Sequence, residues 1–383
     1  MKRIKIMTVF GTRPEAIKMA PLVRELKTHD SIDCTVCVTA QHREMLDQVL
    51  GNFDIVPEYD LNIMKARQTL TEITTRAAEG LYGVFTEASP DMVLVHGDTT
   101  TTFAASLAAF YAKIRVGHVE AGLRTYDKYS PYPEEMNRKL TGAIADLHFA
   151  PTASNKENLL KENVPEKNIY VTGNTVIDAL STTVSPGYVF EDPFLNKLDF
   201  RGKRIVLVTA HRRENLGRPL ESICTALRRL VDDLPDISLI YPVHLNPVVR
   251  ETAGRILGGH ERIHLIEPLN VLDMHNLMDR STLVLTDSGG LQEEAPSLGK
   301  PVLVLRNETE RPEAVKAGTV KLLGTDTETV YKEARLVLED TDEYQRMAKA
   351  VNPYGDGKAS KRIREALLYY FGLSDERPEE FSA

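Results

Sequence analysis

Short apolar segments recur along this 383-residue chain and alternate with longer amphipathic stretches. In the first half they are Ile4–Phe10, Thr35–Thr39, Met92–His96, Val116–Val119, Leu147–Phe149 and Ile169–Val171. In the second half they are Ile205–Thr209, Ser238–Tyr241, Ile263–Ile266, Leu283–Leu285, Val302–Leu305 and Val320–Leu322. They are rich in Val, Ile and Leu without strict polar alternation, which is typical of parallel strands buried on both faces. Strand–helix repetition therefore predicts an α/β fold with right-handed crossovers.

The length of the chain allows two hydrophobic cores, and six predicted strands fall in each half. We predict two Rossmann-like, doubly wound domains that face each other across a cleft, over residues 1–180 and 203–358. The stretch Ser181–Gly202 contains prolines and glycines and has no helical or strand period, so it is predicted to join them. A last helix is predicted over 359–371.

The charge, hydrophobicity and cysteine content of the chain exclude several classes of function. With 47 basic and 55 acidic residues the net charge is −8, which argues against a nucleic-acid coat or a polybasic membrane surface. No apolar run approaches the length of a membrane span, and Met1–Ile6 leads into a strand without a signal-peptide core. Cys34 and Cys37 lie in a strand-like run, where we expect packed small hydrophobes and not a redox pair. A cytoplasmic protein is predicted.

The segment Leu285–Pro296 joins a predicted strand end to a predicted helix. Gln292–Ala295 is predicted as the first helical turn, preceded by the cap-type residues Asp287 and Ser288. Gly289 and Gly290 would let backbone N–H groups approach a ligand, and a helix N-terminus favours anions. An ordinary capped helix is the alternative.

A carboxylate one turn further, Glu294, could accept hydrogen bonds from two ribose hydroxyls. The segment therefore predicts a nucleoside diphosphate site, with phosphates on Ser288, Gly289 and Gly290 and the ribose on Glu294. Basic groups that follow other strand ends could assist: Arg13, Lys18, His211 and Arg311. The first of these loops lacks the GxGxxG fingerprint, so no nicotinamide cofactor is predicted.

Three carboxylates follow strand ends or a proline-rich loop: Asp98, Glu120 and Glu134, with Arg138 one turn after the last. Because the carboxyl ends of parallel strands share one edge, we expect them to converge. Crowding should raise the pKa of at least one of these carboxyl groups, which suits acid–base catalysis near neutral pH. The alternative is that the three carboxylates serve only as helix caps and in ion pairs. The His-x-Asp pattern at His96 and the His-x-Glu pattern at His118 could ligate a metal ion. Simple packing of alternate residues also explains this spacing, so no metal site is predicted.

Long sequence motifs that match a known protein family are spread over nearly the whole chain. They are FGTRPEAIKMAPL at 10–22, VHGDTTTT at 95–102, GHVEAGLRT at 117–125, SPYPEEMNR at 130–138, AHRREN at 210–215, LTDSGGLQEEAPSLGKPVLVLR at 285–306 and ERPEAV at 310–315. With them the chain closely resembles the bacterial non-hydrolysing UDP-N-acetylglucosamine 2-epimerases. The resemblance implies the B-type glycosyltransferase fold, with the last helix packed on the first domain.

The resemblance also implies the reaction and its residues. The reaction is interconversion of UDP-N-acetylglucosamine and UDP-N-acetylmannosamine for cell-surface polysaccharide synthesis, without a cofactor. Asp98, Glu120 and Glu134 would be catalytic acids, with His211 beside them in the active site. Nucleotide or sugar contacts would come from Arg13, Lys18, Arg138, Ser288, Gly289, Gly290, Glu294 and Arg311. A homodimer is implied, with allosteric UDP-N-acetylglucosamine at Gln41, Arg67, Glu134 and His244. The loop Pro268–Met274 has no aromatic ring, so uracil contacts are not assigned there.

The substrate's chemistry suggests the mechanism. The C2 hydrogen is not next to a carbonyl carbon, so a carboxylate cannot remove it directly. Departure of UDP makes C1 cationic and the C2–H bond acidic, so elimination would give a 2-acetamidoglucal. Re-addition of UDP would then give the epimer. A retaining glycosyltransferase, a hydrolysing epimerase and a catalytically silent nucleotide-sugar sensor are the alternatives, and turnover and product analysis separate them.

Overall fold

The computed structural model describes residues 3–41, 43–65, 67–309 and 311–383. Met1 and Lys2, which precede the first predicted strand, and Glu310 of the motif at 310–315 lie outside the described residues. The chain divides into two compact units, one formed by Met1–Thr182 with Tyr354–Ala383 and the other by Thr183–Pro353.

The first unit is built on a parallel sheet with the order β3-β2-β1-β4-β5-β6-β7 among the described residues. Its strands are β1 (Ile4–Phe10), β2 (Ile32–Val38), β3 (Tyr59–Asp60), β4 (Met92–His96), β5 (Arg115–Val119), β6 (Leu147–Ala150) and β7 (Ile169–Val171). Its helices are α1 (Arg13–Lys27), α2 (Arg43–Asn52), α3 (Leu70–Ala88), α4 (Thr100–Tyr111), α5 (Glu134–Ile144), α6 (Ala153–Lys161), α7 (Thr175–Thr183, whose last residue falls in the second unit) and, from the end of the chain, α15 (Ala359–Tyr370).

The second unit repeats this design with the order β10-β9-β8-β11-β12-β13. Its strands are β8 (Arg204–Thr209), β9 (Ile237–Pro242), β10 (Ile263–Ile266), β11 (Leu283–Thr286), β12 (Val302–Val304) and β13 (Val320–Leu322). Its helices are α8 (Arg218–Asp233), α9 (Pro247–Leu257), α10 (Val271–Arg280), α11 (Gly289–Ser297), α12 (Pro312–Ala317), α13 (Thr327–Glu339) and α14 (Thr341–Ala348). Short 3₁₀ turns lie at Glu166–Asn168, Leu195–Lys197 and Arg213–Asn215.

The prediction of two doubly wound parallel sheets with flanking helices is confirmed. Each predicted strand is present; some, such as Met92–His96, have the predicted ends, and the others have shifted ends. The structure adds β3, which pairs with Cys37 and Val38 of β2. Two residues are too few to show a hydrophobic period, so the sequence pattern misses this strand.

The unit limits differ from the predicted ones. Residues 183–202, predicted as a joining stretch, belong to the second unit, where the Tyr188 hydroxyl donates to Asp273 of α10 at 2.8 Å. Residues 354–358 belong to the first unit, since the carbonyl of Tyr354 accepts from the Asn174 amide N–H at 2.6 Å.

The last helix, α15, packs into the core of the first unit. Ile363 and Leu367 are fully buried in the same apolar cluster as residues of α1. The Asp178 carboxylate accepts the N–H groups of Ala359 and Ser360 at 3.1 and 2.7 Å, which satisfies free donors at the helix start.

The cysteines are packed as small hydrophobes. Cys34 and Cys37 are buried and unbridged, and burial raises the pKa of both thiols to about 12. Both side chains lie in buried apolar clusters, so the predicted packing as small hydrophobes is confirmed.

None of the helices in the described ranges is both long enough and apolar enough to cross a membrane.

Candidate functional site

In each sheet the strand order reverses between two central strands, β1 and β4 in the first unit and β8 and β11 in the second. The loops that follow such a pair diverge, and ligands of open α/β sheets bind in the resulting crevice. The loops and helix starts after these strands hold Arg13, Asp98, His211, Ser288, Gly289 and Gly290, whereas Glu120, Glu134 and Arg138 follow β5.

Glu120 directly follows β5, and its two carboxylate oxygens have different neighbours. Its Oε1 forms an ion pair with Nζ of Lys18 on α1 and accepts a hydrogen bond from Asn174 Nδ2 at 2.9 Å. His96 Nε2 lies 3.7 Å from Oε2. The backbone of Glu120 is left-handed, with φ of 61°, a strained state that concentrates at functional positions.

This pairing fixes the charge of Glu120. Burial alone would raise its pKa, but the Lys18 ammonium and the hydrogen bonds outweigh burial and lower the pKa below its usual range. Burial lowers the pKa of His96 to about 4, so that imidazole is neutral at pH 7. Crowding predicted a raised pKa for at least one of the three acids; Glu120 is not that acid, because a cation and an amide donor face it.

Asp98 follows β4 and binds Arg138. Its Oδ2 accepts from Nη2 and Nε of Arg138 at 2.7 and 3.2 Å, while Nη1 donates to Glu135 at 2.9 Å. Although burial opposes it, the charges of Asp98, Glu135 and Glu120 raise the pKa of Arg138. Arg138 thus joins the loop after β4 to the first turns of α5.

Glu134 is the first residue of α5, one turn before Arg138. Its Oε2 is buried, and no hydrogen-bond donor from the described residues reaches it. Its neighbour Glu135 instead holds the loop before the helix, accepting the N–H groups of Thr125 and Tyr126 at 3.1 and 3.0 Å. A buried carboxylate oxygen without a donor is uncommon, which makes Glu134 a candidate site residue at the helix start.

A buried carboxylate that the sequence analysis missed, Glu15, joins the two loops of the first switch point. It accepts the N–H groups of Gly11 and Thr12 at 3.1 and 2.9 Å. On the other side it accepts the hydroxyls of Thr99 and Thr102 at 2.8 and 3.1 Å. Burial raises its pKa. The available signal was the capping-box pattern Thr-x-x-Glu from Thr12 to Glu15.

The half-buried Arg13 is the first residue of α1, beside this carboxylate network. Burial lowers the pKa of its guanidinium, which stays charged at neutral pH.

In the second unit, α11 begins at Gly289, three residues before the predicted start, with Ser288 at its cap position but without a side-chain cap bond. A Cβ on Gly289 would lie 2.5 Å from Nη1 of Arg311. Glu293 holds Arg311 through Nε at 2.5 Å. The guanidinium therefore lies against the first turn of α11, and together they form a cationic end that suits phosphate.

Asp287 was predicted as a helix cap, and the structure corrects this. Its carboxylate Oδ2 accepts the N–H groups of His211 and Arg212, both at 2.8 Å, and Nδ2 of Asn215 at 2.9 Å. The residue is fully buried. Asp287 thus ties the loop after β8 to the end of β11, an interaction between segments over 70 residues apart that no local pattern shows.

Glu294 lies in the second turn of α11 with His275 of α10 beside it. Glu294 Oε2 is 3.4 Å from His275 Nε2, and His275 Nδ1 shares a 2.7 Å hydrogen bond with the Thr183 hydroxyl. His275 is buried, so this chain of contacts fixes the direction of the Glu294 carboxylate.

The residues predicted for an allosteric ligand are distributed over both units. Besides Glu134, the first unit holds Gln41, which accepts from Thr101 at 3.2 Å, and the exposed Arg67. In the second unit, His244 stacks on His211, with ring centroids 5.0 Å apart and an angle of 4° between the rings.

Within the described ranges, no three His, Cys, Asp or Glu side chains are grouped to hold a metal ion. Of the two histidines in the His-x-acid pairs, His118 has its Nε2 2.7 Å from the Gly97 carbonyl.

These features define an α/β protein with charged sites at the switch points of two doubly wound sheets. A family model described as UDP-N-acetylglucosamine 2-epimerase matches residues 24–368. The chain belongs to this family.

Relatives are similar over the full length. The UDP-N-acetylglucosamine 2-epimerase of Bacillus subtilis is 62% identical over 382 residues, which cover 100% of each chain. The Neisseria meningitidis enzyme, solved bound to UDP-GlcNAc, is 52% identical with a TM-score of 0.85, over 95% of this chain and 100% of that one. A Staphylococcus aureus structure with UDP is 54% identical with a TM-score of 0.90, over 100% of both. The predicted identity as an enzyme of this family is confirmed.

Proposed function

We propose that the chain catalyses the reversible epimerisation of UDP-N-acetylglucosamine at C2, giving UDP-N-acetylmannosamine. The observation that carries this proposal is full-length similarity to the Neisseria meningitidis enzyme with UDP-GlcNAc bound. The carboxylates at the first switch point and the cationic helix start at the second supply the groups that this reaction needs.

In this proposal the second unit holds the nucleotide. The diphosphate binds the start of α11 at Ser288, Gly289 and Gly290, with Arg311 as counter-ion. The ribose hydroxyls donate to Glu294, whose direction is fixed by His275. Arg13, Lys18 and His211 supply further positive or hydrogen-bonding groups for the phosphates and sugar.

The first unit supplies the acids. The C1–O bond breaks, UDP takes the bonding pair, and positive charge develops at C1. A carboxylate then removes the C2 proton, which leaves 2-acetamidoglucal; delivery of a proton to the opposite face and return of UDP give the epimer. Glu120 is ionised at neutral pH because Lys18 faces it, so it can stabilise the cationic sugar or act as base. Asp98 and Glu134 provide the second proton carrier.

Gly289→Ala tests the phosphate site. The added methyl would lie 2.5 Å from Nη1 and 2.8 Å from Cζ of Arg311 and push the guanidinium aside. We expect the Kd for UDP, measured by calorimetry, to rise about tenfold. Gly254→Ala is the matched control, because its Cβ meets nothing within 4 Å on the exposed face of α9. Equal Kd values in both variants would remove Arg311 from the phosphate site.

The activity itself is tested by proton NMR in D₂O with UDP-N-acetylglucosamine and no added cofactor, metal or acceptor. We expect UDP-N-acetylmannosamine with deuterium at C2. Free N-acetylmannosamine together with UDP would indicate the hydrolysing reaction instead. Turnover that requires an added acceptor would indicate a glycosyltransferase. Binding without turnover would indicate a sensor.

Other consequences of family membership stay predictions. They are a homodimer, activation by a second UDP-N-acetylglucosamine at Gln41, Arg67, Glu134 and His244, a cytoplasmic location, and supply of UDP-N-acetylmannosamine for cell-surface polysaccharide.

A further inference from the structure

We infer that Asp287 is a positioning residue for His211, holding its imidazole in the Nδ1–H tautomer and supporting its positive charge when Nε2 is also protonated. The inference rests on the proposed function, in which His211 faces the diphosphate. It assigns to the buried carboxylate a role toward the reaction beyond tying two loops together.

The two oxygens of Asp287 have different surroundings. Oδ2 accepts three N–H groups, from His211, Arg212 and Asn215. Oδ1 is buried and receives no hydrogen bond from the described residues. Nδ1 of His211 lies 3.7 Å from it. A buried carboxylate oxygen without a donor is costly, so a proton on the nearby Nδ1 reduces that cost.

The imidazole is directed by its other neighbours as well. The His244 ring stacks on it, and about 40% of the His211 side chain remains exposed. With Nδ1 toward Asp287, the remaining nitrogen, Nε2, can face a ligand. A buried carboxylate behind an imidazole sets the tautomer and stabilises the imidazolium.

Charge balance agrees with this geometry. Partial burial lowers the pKa of His211, Asp287 raises it, and His244 and Arg212 lower it further. The imidazole is therefore neutral before a ligand arrives. A diphosphate near Nε2 would raise this pKa, since an opposite charge favours the protonated form. Asp287 would then neutralise the ion from behind while Nε2–H faces the departing phosphate oxygen.

Asp287→Asn tests the inference because it preserves the loop contacts. The remaining amide oxygen can accept the three N–H groups at the Oδ2 position, which places NH₂ against Nδ1. The NH₂ group can donate only to an unprotonated Nδ1, so it selects the Nε2–H tautomer of His211. We expect long-range ¹H–¹⁵N NMR of histidine-labelled protein to show Nδ1–H at His211 in the wild type and Nε2–H in D287N, with His211→Asn identifying the signals.

In the same variant, kcat should fall about 30-fold at pH 7 while the Kd for UDP stays within about threefold. The alkaline limb of the kcat profile should move to lower pH, because the carboxylate no longer supports the imidazolium. Asp178→Asn is the control: it also removes a buried carboxylate that accepts backbone N–H groups, at the start of α15, with no imidazole in this contact. It should change stability without moving the pH profile.

Nε2–H in the wild type, or a kcat and pH profile in D287N like those of D178N, would overturn the inference. The tautomer is measured without turnover. Absence of epimerisation by the wild type would therefore refute the proposed function, while the NMR result still decides the contact between Asp287 and His211.

Discussion

Replacing Glu120 by glutamine is expected to lower kcat about 10³-fold, with the affinity for UDP unchanged. Glutamine matches the shape of the side chain and can still accept from Asn174, but it carries no charge and cannot take a proton. In the proposed reaction it therefore loses both the stabilisation of the cationic sugar and one proton carrier. NMR turnover in D₂O and calorimetry with UDP measure the two quantities separately.

Two comparisons sharpen this prediction. Glu87→Gln removes an exposed carboxylate of α3 and should leave kcat unchanged. Asp98→Asn and Glu134→Gln should each abolish turnover as well, since they remove the other proposed acids. Turnover close to the wild-type rate in all three acid variants would refute the assignment of the catalytic acids.

Replacing Lys18 by methionine is expected to destabilise the protein by about 3 kcal/mol at pH 7, because it leaves the buried charge of Glu120 without its cation. The Lys18 and Glu120 side chains are 18% and 8% exposed. Urea unfolding measures the loss. The double variant with Glu120→Gln should recover most of it, since neither charge remains.

An exposed ion pair provides the control. Lys27 and Glu58 lie 3.1 Å apart with 40% and 44% of their side chains exposed. Lys27→Met should cost about 0.5 kcal/mol or less. Equal costs for the two lysine variants would show that Lys18 carries no special electrostatic role.

The pH dependence gives an independent test of the same pair. The pKa of Glu120 is lowered from its ordinary 4.5, so its contribution to stability is present above pH 4.5 and is lost as pH falls below that value. Without Lys18, burial raises this pKa, and protonation relieves the buried charge. The stability difference between wild type and K18M should therefore shrink as pH falls from 7 to below 4.5. A constant difference would contradict the assigned pKa direction.

The fold was predictable because buried parallel strands leave continuous apolar runs, such as Met92–His96 and Leu283–Leu285. The same rule predicted side chains in the loops that follow strand ends, and the structure has Asp98 after β4, Glu120 after β5 and Ser288 after β11.

The interaction partners of the site residues were not predictable from the sequence. The charge of Glu120 depends on Lys18, 102 residues away, and Asp287 looks locally like a helix cap although its partners follow another strand. The Gly289–Gly290 pair was interpreted as a loop before the helix, while the structure starts α11 there. The contact of Arg311 with that turn requires a glycine, and spacing in the sequence does not show the contact.

The most direct test of the central claim, that UDP leaves C1 before C2 is inverted, is positional isotope exchange. UDP-N-acetylglucosamine carrying ¹⁸O in the bridge between C1 and the β-phosphorus is incubated with the enzyme and followed by ³¹P NMR. Free rotation of the β-phosphate in bound UDP should move ¹⁸O into non-bridging positions at a rate comparable to deuterium entry at C2. Deuterium at C2 with ¹⁸O retained in the bridge would contradict elimination and require a mechanism that keeps the C1–O bond.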